Sequence, residues 1–337
     1  MQPKELEARY FEALRAEFGA HEWRGTPDTL YMGGGTPSAI DPAGIVRLLE
    51  TLPGRPWRES TMEAAPGSLT PEKVDAWKRA GINRVSLGVQ SFVKSELART
   101  GRRHDAATVE RDVALLRSRG IANINLDLIA GLPGQTDASW QESLDAVLRI
   151  EVPHVSVYML EVDDDSRLGA EILLGGKRYG AVDVPSDDRI ASFYELAVET
   201  LERHGIRRYE ISNFARPGAE SVHNLKYWRR EPYIGFGADA HSFDGTTRRQ
   251  NAETALEYVE CGPSVRAGET GADPVEEKFF VGLRLSEGVI PDASDWRRFG
   301  PVFERFLSAG VMEQRGPRLR LTPRGIMVSN EIFQEFI

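Results

Sequence analysis

The chain has 337 residues, a length that suggests one large domain or two smaller ones. Its 42 Lys and Arg against 51 Asp and Glu leave a formal net charge of -9, which argues against a nucleic-acid partner that would want a basic face. No apolar run approaches the ~20 residues of a membrane span, the opening Met-Gln-Pro-Lys-Glu-Leu-Glu carries no signal-peptide core, and the single cysteine, Cys261, excludes an intramolecular disulfide framework. A reducing, cytoplasmic setting is expected.

Leu6, Tyr10, Leu14 and Phe18 recur at spacing four and predict a helix over about 4–18. Short apolar runs then predict strands at 29–32, 61–64, 84–89, 123–129 and 154–160. Between them the helices have legible ends. Asp41-Pro42 reads as a cap with Pro at the first helical position, followed by Ile45, Leu48, Leu49 and Leu52 on one face. Thr70-Pro71 repeats the device before Val74 and Trp77, with Gly81 as the stop. Asp137 is the expected cap of a helix carrying Trp140, Leu144, Val147 and Leu148. Such β-α alternation is that of a parallel sheet with helices outside it, and either an open doubly wound sheet or a barrel satisfies the pattern. From 163 to 188 glycines among acidic residues predict a loop or lid, followed by a helix with Ile190, Phe193, Tyr194, Ala197 and Leu201. The Gly/Pro-rich stretch 262–274 reads as a linker. Helices over 276–286 and 296–309 and a short strand at 319–322 suggest a C-terminal winged-helix-like module.

Chemistry concentrates at strand ends. Gly33-Gly34-Gly35-Thr36-Pro37-Ser38 follows the first strand, and glycines there let backbone approach a ligand closely. Glu63, Gln90 and Asp127 lie at or near the ends of the next three strands, and Arg102 follows Gln90 in the pair Gly101-Arg102. A zwitterionic, ribose-bearing ligand needs such a set: a cation for its carboxylate, and carboxylates or amides for its ammonium and hydroxyls. Gly131-Leu132-Pro133-Gly134-Gln135-Thr136 is a loop leading into a helix, equally consistent with turn chemistry and ligand contact. Further on stands His223-Asn224-Leu225-Lys226-Tyr227-Trp228: a possible iron ligand beside two flat apolar side chains that suit a porphyrin. His241, in Gly237-Ala238-Asp239-Ala240-His241, is a second candidate ligand. Cys261 reads as an incidental thiol. Arg315, Arg318, Arg320 and Arg324 cluster in the C-terminal module, which more often packs on a larger domain than reads DNA.

Together and in this order, these motifs resemble the radical S-adenosylmethionine (SAM) family that contains oxygen-independent coproporphyrinogen III oxidases and HemW-type heme chaperones. The resemblance selects a partial TIM-type (β/α) barrel over residues 1–162, a lid and heme-motif extension over 163–262, and the winged-helix-like domain over 275–337. It implies that Gly34, Gly35 and Thr36 pack against SAM, that Arg102 binds its carboxylate, and that Glu63, Gln90 and Asp127 take its amino group and ribose. It implies that His223, Tyr227, Trp228 and His241 face heme. The implied function is a heme chaperone passing heme to recipient hemoproteins. The alternatives are an oxidase of porphyrin biosynthesis that decarboxylates coproporphyrinogen III, and a cluster-free module that binds heme or a protein partner. A barrel enzyme with another cofactor is disfavoured by the lack of a His/Asp metal cluster or phosphate loop.

Three departures stand out. The family's Cys-x3-Cys-x2-Cys loop, which holds a [4Fe–4S] cluster, is absent, so no metal ligands for the cluster and no electron source for splitting SAM exist in this sequence. Ala65 stands where Asn is usual, and Ala238-Asp239 where Pro-Gly is common. Because the family places its cluster loop after a first strand and before a helix like that of 4–18, the chain is expected to begin just past that loop. It would then lack the first strand, and a longer parent would hold the cluster and be the more stable form.

Overall fold

The computed structural model describes residues 3–23, 25–161, 171, 180–262, 270–271 and 273–337. It divides into two compact units. One contains residues 30–42 and 59–220; the other joins 1–29, 43–58 and 221–337. These units are discontinuous in sequence, where the expectation above was three consecutive segments.

The first elements, in chain order, are α1 (Pro3–Ala20), β1 (Thr29–Met32), α2 (Pro42–Leu49), β2 (Glu59–Ala64), α3 (Pro71–Ala80), β3 (Arg84–Gln90), α4 (Lys94–Arg99), α5 (Ala106–Ser118), β4 (Asn123–Ala130), α6 (Asp137–Ile150) and β5 (His154–Met159). They are followed by α7 (Asp187–Arg203), β6 (Arg207–Arg208) and β7 (Asn213–Ala215). The strands join in the order β1-β2-β3-β4-β5-β7-β6. From β2 to β5 the pairing is parallel, and β7 closes against β5 antiparallel. Among the described residues β1 has one strand neighbour. This is a partial (β/α) barrel: parallel strands joined through helices.

Helix ends follow local chemistry. Thr70 caps α3 through its hydroxyl at Lys73 N, and Gly81 ends it at φ 99°, where a Cβ would be strained. Thr136, not Asp137, caps α6: its hydroxyl accepts from Ser139 N while the Ser139 hydroxyl returns to Thr136 N. A residue already in helical conformation cannot cap its own helix, so Asp137 opens the first turn. Trp77 and Trp140 are fully buried, and Ile190, Phe193, Tyr194, Ala197 and Leu201 line the buried face of α7. Most of the expected lid lies outside the described residues; its end forms a short 3-10 turn, Ala181–Asp183.

The strands alternate in polarity although both faces are buried. Met62, Val85, Leu87, Ile124, Leu126, Leu128, Val155 and Val157 form an apolar side. The intervening positions are polar: Thr61, Arg84, Ser86, Asn125, His154 and Ser156. Arg84 is 2 % exposed and reaches Glu59 at 3.5 Å, Asn123 Oδ1 at 3.0 Å and the Ala219 carbonyl at 3.1 Å. The attraction is strong in a low-dielectric interior, and removing one partner leaves a buried charge uncompensated.

The second unit carries α1 and α2 together with α8 (Val222–Trp228), β8 (His241–Phe243), β9 (Thr247–Gln250), α9 (Ala255–Cys261) and β10 (Thr270–Gly271). Its C-terminal part is α10 (Pro274–Gly282), α11 (Ala293–Ser308), β11 (Met312–Arg315), β12 (Arg318–Leu321), α12 (Pro323–Met327) and α13 (Ser329–Gln334). Glu17 of α1 ties the unit together: its carboxylate accepts from Tyr258 Oη at 2.5 Å, Gly237 N at 3.0 Å and Asn251 Nδ2 at 2.9 Å. The stretch read as a linker contains β10, which pairs with β9. The module after residue 273 is winged-helix-like. Phe279, Phe299, Phe303 and Phe336 pack ring to ring, and Val289 pairs with Leu319 beside the β11–β12 hairpin. Arg320 pairs with Glu313 and Arg318 with Glu287, so acidic neighbours offset part of the arginine cluster.

Arg84→Ala is expected to lower unfolding stability by ~3–5 kcal/mol, because it strands the Glu59 carboxylate in the interior. Urea denaturation checks this; a loss under ~1 kcal/mol would mean the ion pair contributes little.

Candidate functional site

The polar face of the parallel sheet ends at the carboxyl tips of its strands, the end where barrel folds hold ligands. There β3 carries a bulge: its register against β4 shifts between Leu87 and Gln90, and Gln90 adopts φ 68°. A Cβ on Gly88 would meet Gln90 Nε2 at 3.3 Å and Arg102 Nη1 at 3.8 Å, so the glycine leaves room for both. Arg102 Nη1 donates to the Gly88 carbonyl at 3.0 Å, which holds the guanidinium over the bulge. Arg103 is exposed.

Asp127 sits between two hydroxyl-bearing strands. Ser86 Oγ donates to Oδ2 at 3.0 Å and Asn125 Nδ2 to Oδ1 at 2.6 Å. Burial pushes the carboxyl up to about 6, and the nearby Glu63 carboxylate adds to the rise, while bonds from Ser156, Ser86 and Asn125 oppose it. Arg102 feels the Asp127 charge as well. Glu63 accepts from Tyr31 Oη at 2.5 Å. Burial and the Glu63 carboxylate raise the Tyr31 phenol far above its ordinary range, so it stays a donor. Thus Glu63, Gln90, Arg102 and Asp127 come from three strands and a loop to one polar surface, where Asp127 lies close enough to feel the Glu63 carboxylate and to act on the Arg102 guanidinium.

Two glycines of the triplet have a structural reason to be glycine. A Cβ on Gly33 would meet Tyr31 Cε1 at 2.8 Å and Glu63 Oε1 at 2.9 Å. Gly34 has φ 100°. At Gly35 no atom of the described residues lies within 4 Å of a Cβ position. Thr36 donates to the Gly35 carbonyl at 2.6 Å. Ser38 anchors the turn: its hydroxyl accepts from Ala65 N at 3.1 Å and its carbonyl from Lys73 Nζ at 2.7 Å. The loop at 131–136 is built by packing: Gln135 Oε1 accepts from Gly131 N at 2.6 Å, and a Cβ on Gly131 would strike Ile190.

Tyr31, Ser86, Asn125, Ser156 and Tyr158, none of them expected from the sequence, bond to or lie beside Glu63 and Asp127 on this surface. Their signal was period-two polarity inside strands read as merely apolar: Arg84, Ser86, Gly88, Gln90 in β3, and Asn123, Asn125, Asp127 in β4.

The histidine motif belongs to the other unit. Ser221 caps α8 by accepting from Asn224 N. His223 Nδ1 lies 2.9 Å from Thr29 Oγ1 and Nε2 lies 2.9 Å from Tyr227 Oη, so both ring nitrogens are engaged. Iron ligation by His223 therefore requires one of these bonds to open. Burial pushes the Tyr227 phenol up to about 12. Trp228 carries the Arg284 guanidinium 4.6 Å from its ring centre, and its buried Nε1 has no hydrogen-bond partner among the described residues. His241 is exposed on β8, where its backbone crowds Gly235. Asp239 adopts φ 58° and accepts from Gln250 at 2.6 Å. Cys261 is exposed. No group of three metal-binding side chains occurs among the described residues, and no described helix is long and apolar enough to cross a membrane.

A carboxyl whose folded-state value exceeds its unfolded one binds its proton more readily in the native state. Asp127 therefore reduces stability as pH rises from about 4 through about 6. Asp127→Asn is expected to remove that dependence: its stability relative to the parent should improve by on the order of 2 kcal/mol between about pH 4 and pH 7, discounted for the partial solvent contact of the side chain. Parallel urea titrations at the two pH values would show a constant difference if Asp127 is not perturbed.

Residues 2–147 match the radical SAM superfamily. The chain is 32% identical over 343 residues to the heme chaperone HemW of Lactococcus lactis subsp. lactis, covering 97% of this chain and 89% of that protein. It is 34% identical to the Bacillus subtilis heme chaperone HemW (93% and 86% covered) and 35% identical to that of Escherichia coli (92% and 84%). Among solved structures, the Escherichia coli coproporphyrinogen III oxidase HemN, a radical SAM enzyme, superposes with a TM-score of 0.81 at 20% identity, covering 100% of this chain and 84% of that one. That likeness establishes the fold. The identity and coverage of the HemW proteins establish the family: the chain belongs to the HemW family of radical SAM proteins.

Proposed function

We propose that this protein is a heme chaperone of the radical SAM type, holding heme for delivery to hemoproteins in the cytoplasm. The reading is carried by its 32–35% identity to heme chaperones HemW across at least 84% of their length. It is supported by the placement of His223, Tyr227 and Trp228 on one short helix. The oxidase alternative rests on the HemN likeness, which concerns the fold.

SAM suits the polar surface at the strand ends. Arg102 would take its carboxylate, Glu63 and Asp127 its ammonium and ribose hydroxyls, Gln90 a further polar edge, and the open backbone at Gly34, Gly35 and Thr36 its methionine end. The Glu63 and Asp127 carboxylates, the Arg102 guanidinium and the space left over Gly35 by the described residues fit that ligand. The [4Fe–4S] cluster does not fit: one exposed cysteine cannot replace the three thiolates such a cluster needs.

Without a cluster to chelate the methionine amine and carboxylate, SAM is expected to bind weakly. Calorimetry should find no micromolar affinity, and a micromolar constant would overturn this expectation. For heme, the Soret band of a heme-loaded sample is expected to move or weaken in His223→Ala. An unchanged band removes His223 as an iron ligand; failure of the parent to bind heme removes the functional reading.

A further inference from the structure

Beside Trp228 the unit that carries the histidine motif has a cleft of about 310 Å³. Its apolar lining includes Trp228, Leu285, Val289 and Ile290, and Ile290 is 47% exposed. Among the described residues four cationic side chains line it against one carboxylate, Glu287, on a chain whose net charge is -9. Two of the four are held by acids outside the lining: Arg230 by Glu277 at 3.1 Å and Lys278 by Asp295 at 2.5 Å. Arg229 and Arg318 are different. They share Glu287 through long contacts of 3.5 and 3.8 Å, and both are substantially exposed. Two guanidiniums on one carboxylate leave a positive charge that a second anion would neutralise.

The geometry points to this cleft as the subsite for the carboxylate edge of a tetrapyrrole, with Arg229 and Arg318 as its two anchors. This rests on the heme reading above. A porphyrin dicarboxylate is flat and apolar over most of its surface and anionic at one edge. The cleft presents an indole and aliphatic side chains next to two arginines from different elements, one following α8 and one in β12 of the C-terminal module. Arg318 is set in place by donating to the Gly288 carbonyl at 2.9 Å. Guanidinium forks match carboxylates in geometry and charge. The volume is at the small end of the ~300–1,000 Å³ of small-molecule sites, so the ring would remain partly exposed, as suits a carrier that must release it. Among the described residues no His, Cys, Met or Tyr lines the cleft, so it recognises the ring and its carboxylates and not the iron.

The test titrates the full chain with ferric heme, metal-free protoporphyrin IX and heme dimethyl ester, read by absorbance and by tryptophan quenching. R229E/R318E is expected to weaken both free-acid porphyrins by roughly tenfold. The ester should bind the parent about as weakly as the acids bind the variant. R79E/R111E, the same total charge change at exposed positions of α3 and α5, should alter none of these. If the reversed pair misfolds by circular dichroism, R229Q/R318Q carries the same test with an expected loss of roughly threefold. Equal binding of heme by parent and charge variant, or of ester and acid by the parent, overturns the cleft assignment while leaving heme binding intact. A parent that binds none of the three overturns the assignment together with the functional reading.

Discussion

Asn125 is the residue on which the order of the sheet depends. Its amide nitrogen, with two hydrogens, lies within bonding distance of three acceptors: Ser86 Oγ at 2.7 Å, Asp127 Oδ1 at 2.6 Å and Ser156 Oγ at 3.0 Å. Its carbonyl oxygen takes His154 Nδ1 at 2.6 Å, and the other nitrogen of that imidazole meets Tyr209 Oη at 2.9 Å. Since an amide oxygen only accepts, His154 is the Nδ1–H tautomer and neutral, consistent with burial that depresses its proton affinity. Ser156 continues the chain to Asn213 Oδ1 at 2.7 Å. One interior polar layer thus spans β3, β4, β5 and β7. A buried polar group left unpaired costs free energy, so the layer is stable only when every member is in register. A slip of one residue would swap it with the apolar side of the sheet.

That constraint also explains the candidate SAM surface. A barrel interior filled with aliphatic side chains has little to offer a charged ligand. Here the polar layer rises through Ser86, Asn125 and Ser156 to Asp127, whose orientation is set before any ligand arrives. The Gln90 bulge and the Arg102 bond to Gly88 place a cation and an amide at the same level. Glu63 is steadied by Tyr31. Preorganised groups lose less entropy on binding than groups that must be collected from solvent.

The histidine motif follows a different logic. His223 is held at both nitrogens by hydroxyls, which makes it a well-fixed side chain in the absence of ligand. Trp228, five residues on, faces a cleft whose second wall comes from the C-terminal module. The motif therefore joins a tightly bonded end and an accessible end within a single helix of seven residues. The hydrophobic cluster around Phe279 gives the cleft a rigid backing, because ring-to-ring packing fixes the helix from which Lys278 and Gly282 line it.

By itself the sequence determined the order of strands and helices, most of the helix ends and the family. Periodicity, capping residues and glycine positions are local, and local rules read them to within a residue or two: β1 at 29–32, the Thr70 cap and the Gly81 stop all appear where expected. The motifs at Gly33, Gln90, Asp127 and His223 were legible because their residue types are unusual at strand and helix ends. Tertiary structure alone decided the rest. The period-two polarity of β3 to β5 acquires meaning only when four strands align their polar positions into one layer. Glu17 finds Gly237, Asn251 and Tyr258 more than two hundred residues away. The two arginines of the cleft, 89 positions apart by number, meet on one glutamate through the folding of the C-terminal module. Contacts of that kind depend on which surfaces the chain buries together, and no local pattern encodes them.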